Sequence, residues 1–212
     1  MQLDTKQKLI LYFIKNVGFP KIKTTLIFKL LFLTDYESYI IFSKKITSYD
    51  YQKYHYGPFS QSIYNDIDYL KSLNLISCDT ADKITILGEP YKECKYQLLK
   101  NVDIGLTFEE KTIADIMVKV GRKLTLKQIK DIVYSLPNVK NARNKGTIYF
   151  NEELKPKMKN KIKNLEMYKK LIKKMGLEEP HTITKEQSDK MVEDYYSWYE
   201  SISRANREFL SG

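Results

Sequence analysis

The sequence is poor in the residues that hold small secreted domains and metal sites together. Its 212 residues include two cysteines, Cys78 and Cys94, and two histidines, His55 and His181. Two cysteines are too few for a disulfide scaffold and are typical of a reduced chain, so we expect a cytoplasmic protein with buried thiols. The histidines are far apart in the sequence and have no cysteine pair beside them, which argues against a structural zinc site.

Long apolar runs are also missing. The longest, LIFKLLFL, spans eight residues and contains Lys29, whereas a transmembrane helix needs about 20 apolar residues. The sequence therefore predicts no membrane span. Phosphate-binding loops, dinucleotide fingerprints and nucleophile elbows are absent as well. These absences predict a protein that is not an enzyme and that needs no cofactor.

The positive net charge of +10 is concentrated in one stretch of the sequence. Residues 155–174, KPKMKNKIKNLEMYKKLIKK, hold nine lysines and one acidic residue, Glu166, for a net charge of +8. Polyanions attract such a segment without sequence recognition, so weak, nonspecific nucleic-acid contact is expected through Lys155–Lys174. Arginine, the side chain best suited to bidentate guanine contacts, occurs only four times.

Apolar periodicity predicts a mainly helical domain over residues 1–151 with a small antiparallel β element, an α+β fold. After a first amphipathic helix comes a helix that is apolar nearly all round, with Thr24 or Thr25 as its expected cap and its far end near Asp35. A shorter amphipathic piece through Phe42 follows. The apolar helix is expected at the centre of the core, because it has no polar face to turn toward water.

The β element is predicted near residues 75–99. Ser60 is a candidate cap for the helix that precedes it, and three short strands are expected in LISC, KITIL and CKYQL. A helix followed by a small sheet resembles a winged helix.

Two capping boxes predict a second pair of helices. TFEE at residues 107–110 and TLKQ at residues 125–128 each place a threonine three residues before Glu or Gln. The first of these helices is expected to end at Gly121 and the second before Pro137.

Residues 152–212 are predicted to form a helical extension, with a lysine-rich helix followed by a last amphipathic helix. The apolar residues of the last helix recur in steps of three and four, which is the spacing of a coiled-coil seam. They are Met191, Tyr195, Trp198, Ile202, Ala205 and Phe209. This seam packs on the chain's own core or forms an interface, so a homodimer is one of the alternatives.

One enzymatic alternative comes from three charged residues of the β element. Asp82, Glu93 and Lys95 follow the Asp, then Glu-x-Lys order of metal-dependent nucleases. In such a site two carboxylates hold Mg²⁺ while the lysine assists the attacking water. The other interpretation is that the three are ordinary charged residues on the solvent face of a small sheet.

A second alternative is a winged-helix-like DNA-binding regulator. The helix over residues 60–73 is expected to expose Asp66 and Asp68, and phosphates repel carboxylates. The helix over residues 125–136 offers two lysines for phosphate contact but little that selects bases. Any DNA binding is therefore expected to be weak and steeply dependent on salt.

Three stretches together resemble the Panacea antitoxin domain of SocA-like, phage-associated proteins. They are KLLFLTDYESY at residues 29–39, the tyrosine-rich segment at 46–76 that contains YHYGPFSQSIYNDIDYL, and residues 106–142. The resemblance covers roughly residues 5–150. It implies a mainly helical domain with a small β element and a non-enzymatic role, the neutralisation of a cognate toxin or another host or phage protein by direct binding. Some relatives look like adaptors that deliver a toxin to a protease.

The resemblance also implies binding residues. The family's characteristic places are occupied by Lys29, Leu30, Asp35, Gly57, Pro58 and Tyr64. In the segment FSKKI, this chain has Ser43 where many members have glycine.

The Gly57-Pro58 step is interpreted as a structural corner between two tyrosine-rich segments. Glycine permits backbone angles that are closed to other residues, although the following proline biases it toward extended ones, and Pro58 fixes its own φ just before a helix start. This corner is expected to aim Tyr54, His55 and Tyr56 toward the buried helix and its Asp35. Aromatic side chains with polar tips would suit a recognition surface there.

Overall fold

The computed structural model of the chain describes residues 3–18, 21–55, 57–84, 90–151 and 154. The lysine-rich segment Lys155–Lys174 and the predicted seam from Met191 to Phe209 lie outside the described residues, as does Tyr56. The domain boundary at residue 151 therefore stays a prediction. Within the described residues the chain is mainly helical with a small antiparallel β element, which confirms the predicted fold class.

Helices and short antiparallel strands alternate along the described chain. The helices are α1 (Thr5–Asn16), α2 (Thr24–Phe42), α3 (Gln61–Ser72), α4 (Phe108–Lys123), α5 (Leu126–Ser135) and α6 (Pro137–Asn141). The strands are β1 (Ile22–Lys23), β2 (Gln52–Tyr54), β3 (Gly57–Phe59), β4 (Ile76–Ile84) and β5 (Pro90–Leu98). One sheet has the order β1-β5-β4, and β2 and β3 form a separate hairpin.

Helix α2 occupies the centre of the core, as its all-round apolar sequence predicted. It packs against α1, α4, α5, β3 and β5, and Leu30, Leu31 and Phe32 are completely buried. The predicted end near Asp35 is wrong, because α2 continues without a break to Phe42. No glycine or proline interrupts this stretch, and Thr34, Asp35 and Ser38 have hydrogen-bond partners inside the protein.

The three predicted strands are in fact two, β4 and β5. The segment DTADK joins LISC to the start of KITIL in one nine-residue strand. It contains no glycine, proline or asparagine that would favour a turn, and both faces of this part of the hairpin are exposed. Two-residue β1 was not predicted; it pairs Ile22 with Tyr96 and Lys23 with Lys95. Helix α3 followed by β4 and β5, with β1 on the other side of β5, has the order expected of a winged helix.

The two predicted capping boxes are confirmed at the starts of α4 and α5. The Thr107 and Thr125 side chains accept from the backbone N–H groups of Glu110 and Gln128, whose side chains accept in return from the threonine N–H groups. Each box satisfies two backbone donors that the first helical turn leaves without a partner. These local bonds fix where α4 and α5 begin.

Other predicted helix ends differ from the structure. Gly121 lies inside α4, where a Cβ atom would approach Val17 Cγ1 to 2.8 Å, so this glycine serves close packing and not termination. Ser60 is the N-cap residue of α3 but makes no side-chain cap bond. Thr24 lies inside α2 and donates its hydroxyl to the Cys94 carbonyl. Pro137 follows the end of α5, as predicted, and also begins α6.

Candidate protein-binding site

The Gly57-Pro58 step lies in the β2–β3 hairpin. Tyr54 pairs with Gly57 and Lys53 pairs with Pro58. Gly57 has a φ of 92°, a left-handed conformation that confirms the predicted need for glycine. The expected bias of Gly57 toward extended angles is not observed, because its φ is positive. Pro58 lies shortly before a helix, as expected, but it belongs to strand β3, and Phe59 and Ser60 separate it from α3.

Lys29 lies directly beneath this hairpin. Only 2% of the residue is exposed, and its Nζ donates to the carbonyl oxygen of Pro58 at 3.3 Å. A Cβ atom on residue 57 would lie 2.7 Å from this Nζ. Glycine is thus required at residue 57 both by the backbone conformation and by the ammonium group below it.

The environment of Lys29 is unusual for a lysine. Among the described residues no carboxylate forms an ion pair with it. Burial, with a smaller contribution from the positive charge of Lys130, lowers the pKa of Lys29 to about 7, because a desolvated ammonium group is costly. The charge of this buried group therefore changes near neutral pH.

Tyr134 of α5 binds the chain just before Gly57. Its hydroxyl donates to the carbonyl oxygen of His55 and lies 3.5 Å from that of Tyr54. Since α2 supplies Lys29 and α5 supplies Tyr134, two helices fix the backbone on both sides of the turn. The hairpin is thereby a pre-organised element.

Aromatic rings form a continuous cluster beside the hairpin. Phe59 lies between Tyr54 and Tyr64, with ring centroids 5.0 and 6.0 Å away. Phe28 packs beneath, 5.8 Å from Phe59 and 5.0 Å from Tyr64. Tyr54 and Tyr64 are 36% and 38% exposed. We call Phe28, Tyr54, Phe59 and Tyr64 the aromatic cluster.

Asp35 is not part of this surface, so the expectation that the corner aims its aromatic residues toward Asp35 is wrong. Its carboxylate is completely buried and accepts from the Thr47 N–H at 2.7 Å and from the Tyr51 hydroxyl at 2.9 Å, as well as from the Thr47 hydroxyl. Burial raises the pKa of Asp35, while these bonds oppose the rise. The carboxylate anchors the loop that leads into β2.

A second carboxylate, Asp66, anchors the same loop. Asp66 was expected to face solvent but is only 8% exposed, because Tyr49 covers it and donates its hydroxyl at 2.7 Å. Gln7 of α1 donates to the other oxygen at 3.1 Å. The exposed acid of α3 is then Asp68, which pairs with Lys71 at 2.9 Å.

The structure places the other predicted residues as follows. Lys29, Tyr54, Gly57, Pro58 and Tyr64 come together at the hairpin, and His55 lies exposed at its turn. The contribution of Phe28 and Phe59 was missed, although their apolar character next to the signature positions is a usable signal. The contribution of Tyr134 was missed as well. The sequence contains no local signal for it, because its hydrogen-bond partners are 79 and 80 residues away.

The three candidate nuclease residues do not converge. Asp82 pairs with Lys92, whereas Glu93 pairs with Ala81, so Asp82 points to the opposite face of the hairpin from Glu93 and Lys95. Glu93 instead binds Lys23 at 2.7 Å, which holds the pKa of its carboxyl below the usual value. The predicted arrangement around a metal ion is therefore wrong.

Two further searches cover the described part of the chain. Nowhere in it do three His, Cys, Asp or Glu side chains come together as a metal site would require. Among the described helices, none combines the length and the apolar character of a transmembrane span.

Comparison with known proteins gives a match to a family. The family described as "Antitoxin SocA-like, Panacea domain" matches residues 27–138, about half of the chain. The match includes α2, the β2–β3 hairpin, α3 and α5, so it covers every element that builds the candidate site. No curated protein and no solved structure matches the chain.

Proposed function

The chain belongs to the family of SocA-like antitoxins with the Panacea domain, and on this premise we propose that it neutralises a toxin by binding it directly. The proposed partner is a protein toxin or another host or phage protein, met in the cytoplasm. Neutralisation by binding needs no catalytic group. It needs a rigid surface that excludes water when the partner docks.

The observation that carries this proposal is the exposed part of the aromatic cluster. Tyr54 and Tyr64 present large, rigid side chains, each more than a third exposed. Tyrosine is enriched at the centres of protein interfaces because it buries much area at low entropic cost. The hydrogen bonds of Lys29 and Tyr134 to backbone carbonyl groups keep the hairpin beside the cluster in place.

The proposal is tested by co-expression with the product of the neighbouring reading frame. If that product stops growth, the full chain should restore it, and the two proteins should co-purify. Tyr54→Ala combined with Tyr64→Ala should weaken binding by about 2 kcal/mol or more, on the order of thirtyfold, if the two are interface hot spots.

Tyr149→Ala is the matched control, because Tyr149 is an exposed tyrosine outside the cluster. Unfolding curves should show that all variants remain folded. Full rescue by the double variant would place the binding surface elsewhere. Failure of the unaltered chain to bind any neighbouring product would contradict the antitoxin role itself.

DNA binding is the second candidate function, and two features of the structure favour it. The order of α3, β4, β5 and β1 is that of a winged helix. In addition, Asp66 faces inward and Asp68 is paired with Lys71, so the outer face of α3 is less acidic than expected. A tight, sequence-selective complex with duplex DNA at physiological salt, measured by gel shift, would support this function over toxin binding.

A further inference from the structure

A second basic segment lies within the folded domain. Residues 119–145 contain eight lysines and arginines but one acidic residue, Asp131, for a net charge of +7. By contrast, residues 1–118 contain fifteen lysines and fourteen acidic residues. The positive charge of the domain is thus confined to the end of α4, to α5 and α6, and to the turn that follows α6.

This segment lies directly against the hairpin of the candidate site. Lys53 of β2 donates its ammonium to the carbonyl oxygens of Lys140 and Ala142, at 3.3 and 3.0 Å. The backbone of Lys53 also exchanges hydrogen bonds with Gly146 and Lys145. Because Tyr134 of α5 bonds to the hairpin turn as well, the basic segment and the aromatic cluster flank the same β2–β3 hairpin.

Several basic side chains of this segment are exposed and have no acidic partner within the described residues. They are Lys127, Lys140, Arg143 and Lys145, which we call the basic face. Several other surface lysines do pair with carboxylates, for example Lys23 with Glu93 and Lys111 with Asp115. A group of like charges without counter-charges gives a positive potential that attracts acidic partners.

We propose that the basic face receives an acidic segment of the toxin, while Tyr54 and Tyr64 contact the apolar surface beside it. This inference rests on the proposed function and adds the chemistry of the partner. Complementary charge speeds the encounter of two proteins and fixes their orientation, whereas the desolvated aromatic contacts slow their dissociation.

The geometry of the rings favours a protein over a single-stranded nucleic acid. Sequence-tolerant base binding uses aromatic faces that are open for stacking. Here Tyr54 and Tyr64 are inclined at 56° and 50° to Phe59, and Tyr64 at 54° to Phe28. Tyr54 and Tyr64 are therefore both inclined to Phe59, the ring between them, and the three rings do not form parallel faces for stacked bases.

The test uses the full chain and a charge reversal of the basic face, Lys140→Glu with Arg143→Glu and Lys145→Glu. The matched control reverses three other exposed lysines, Lys83→Glu with Lys92→Glu and Lys100→Glu. Two probes are used at physiological salt, a fluorescein-labelled glutamate-rich peptide and single-stranded DNA of the same length. Fluorescence anisotropy gives the affinities, and hydrogen exchange shows where each probe protects the backbone.

The peptide should protect residues 126–147, and reversal of the basic face should weaken its binding on the order of tenfold, while the control reversal changes it much less. In the growth assay, the same reversal should impair rescue. Peptide protection confined to residues 155–174, or equal effects of the two reversals, would overturn the inference. So would tighter binding of the DNA than of the peptide at the basic face.

The growth assay keeps the two proposals apart. Rescue that survives reversal of the basic face would overturn the inference and leave the antitoxin role intact. Peptide binding at the basic face by a chain that neutralises no neighbouring product would contradict the antitoxin role and leave the charge preference of the face established.

Discussion

Replacing Lys29 by methionine tests the buried ammonium beneath the hairpin. Methionine has nearly the same length and flexibility but no charge, so it fills the same space. The change removes one hydrogen bond, to the carbonyl oxygen of Pro58. It also removes a group that loses its proton near neutral pH in the folded protein but only at high pH in the unfolded chain.

The direction of the pH effect follows from the two protonation states. The pKa of Lys29 falls from an ordinary value of 10.5 to about 7 on folding. Between these values the unfolded chain binds more protons than the folded protein, so the free energy of unfolding rises with pH. From pH 6 to pH 8.5 this group should add about 2 kcal/mol to the stability of the unaltered protein, a gain that the Lys29→Met variant should lack.

Urea unfolding of both proteins at a series of pH values measures this difference. All other titratable groups are present in both proteins, so their contributions cancel in the comparison. Lys83→Met, an exposed lysine on β4, controls for the removal of one surface ammonium group. Parallel curves for the Lys29→Met variant and the unaltered protein would refute the argument that burial lowers the pKa of Lys29.

Four further predictions concern the backbone, the loop anchor and the C-terminal seam. Ser43 caps α2 with a φ of 58°, so Ser43→Gly should raise stability by about 0.5–1 kcal/mol in thermal unfolding, and destabilisation would contradict this. Gly57→Ala should lower stability by about 1–3 kcal/mol, because its φ is 92° and its Cβ would meet Lys29; an unchanged melting temperature would count against both reasons. Asp35→Asn should lower the free energy of unfolding by about 2–3 kcal/mol, since an amide nitrogen would face hydrogen-bond donors. Hydrogen exchange should then show less protection in the loop that contains Thr47, and unchanged protection there would contradict the role of Asp35 as an anchor. Trp198→Ala should lower stability if the predicted seam packs within the chain, or lower the mass measured by light scattering if it joins two chains. If neither stability nor mass changed, both packing arrangements would be excluded.

The helical part of the fold was predictable because its signals are local. The apolar run that contains Leu30, Leu31 and Phe32 predicted the central helix, and the threonines of the capping boxes predicted the starts of α4 and α5. The prediction failed for the short strands. β1 has two residues and forms because they pair with Tyr96 and Lys95, more than 70 positions along the chain. No local periodicity in the sequence therefore predicts this strand.

The candidate site was predictable in its residues but not in its arrangement. The sequence indicates the Gly57-Pro58 step and Tyr64, yet it predicts Asp35 as the buried neighbour of the hairpin, a position that Lys29 occupies in the structure. These two residues are six positions apart on one helix, about 9 Å along its axis, and only the position of the hairpin decides between them. Asp66 was misplaced for a similar reason, because its partner Tyr49 comes from a loop that lacks regular structure.

The order of the larger sheet has a consequence for the behaviour of the protein at high concentration. Within the described residues β4 is an edge strand, and unpaired edges invite strands of other molecules and thereby aggregation. The outer part of β4 carries the exposed charges of Asp79, Asp82 and Lys83, which must be desolvated before a second copy can pair there. Ile84 is 74% exposed and directly follows these charges. The polar stretch that joined two predicted strands into one therefore also protects the edge of the sheet against self-association.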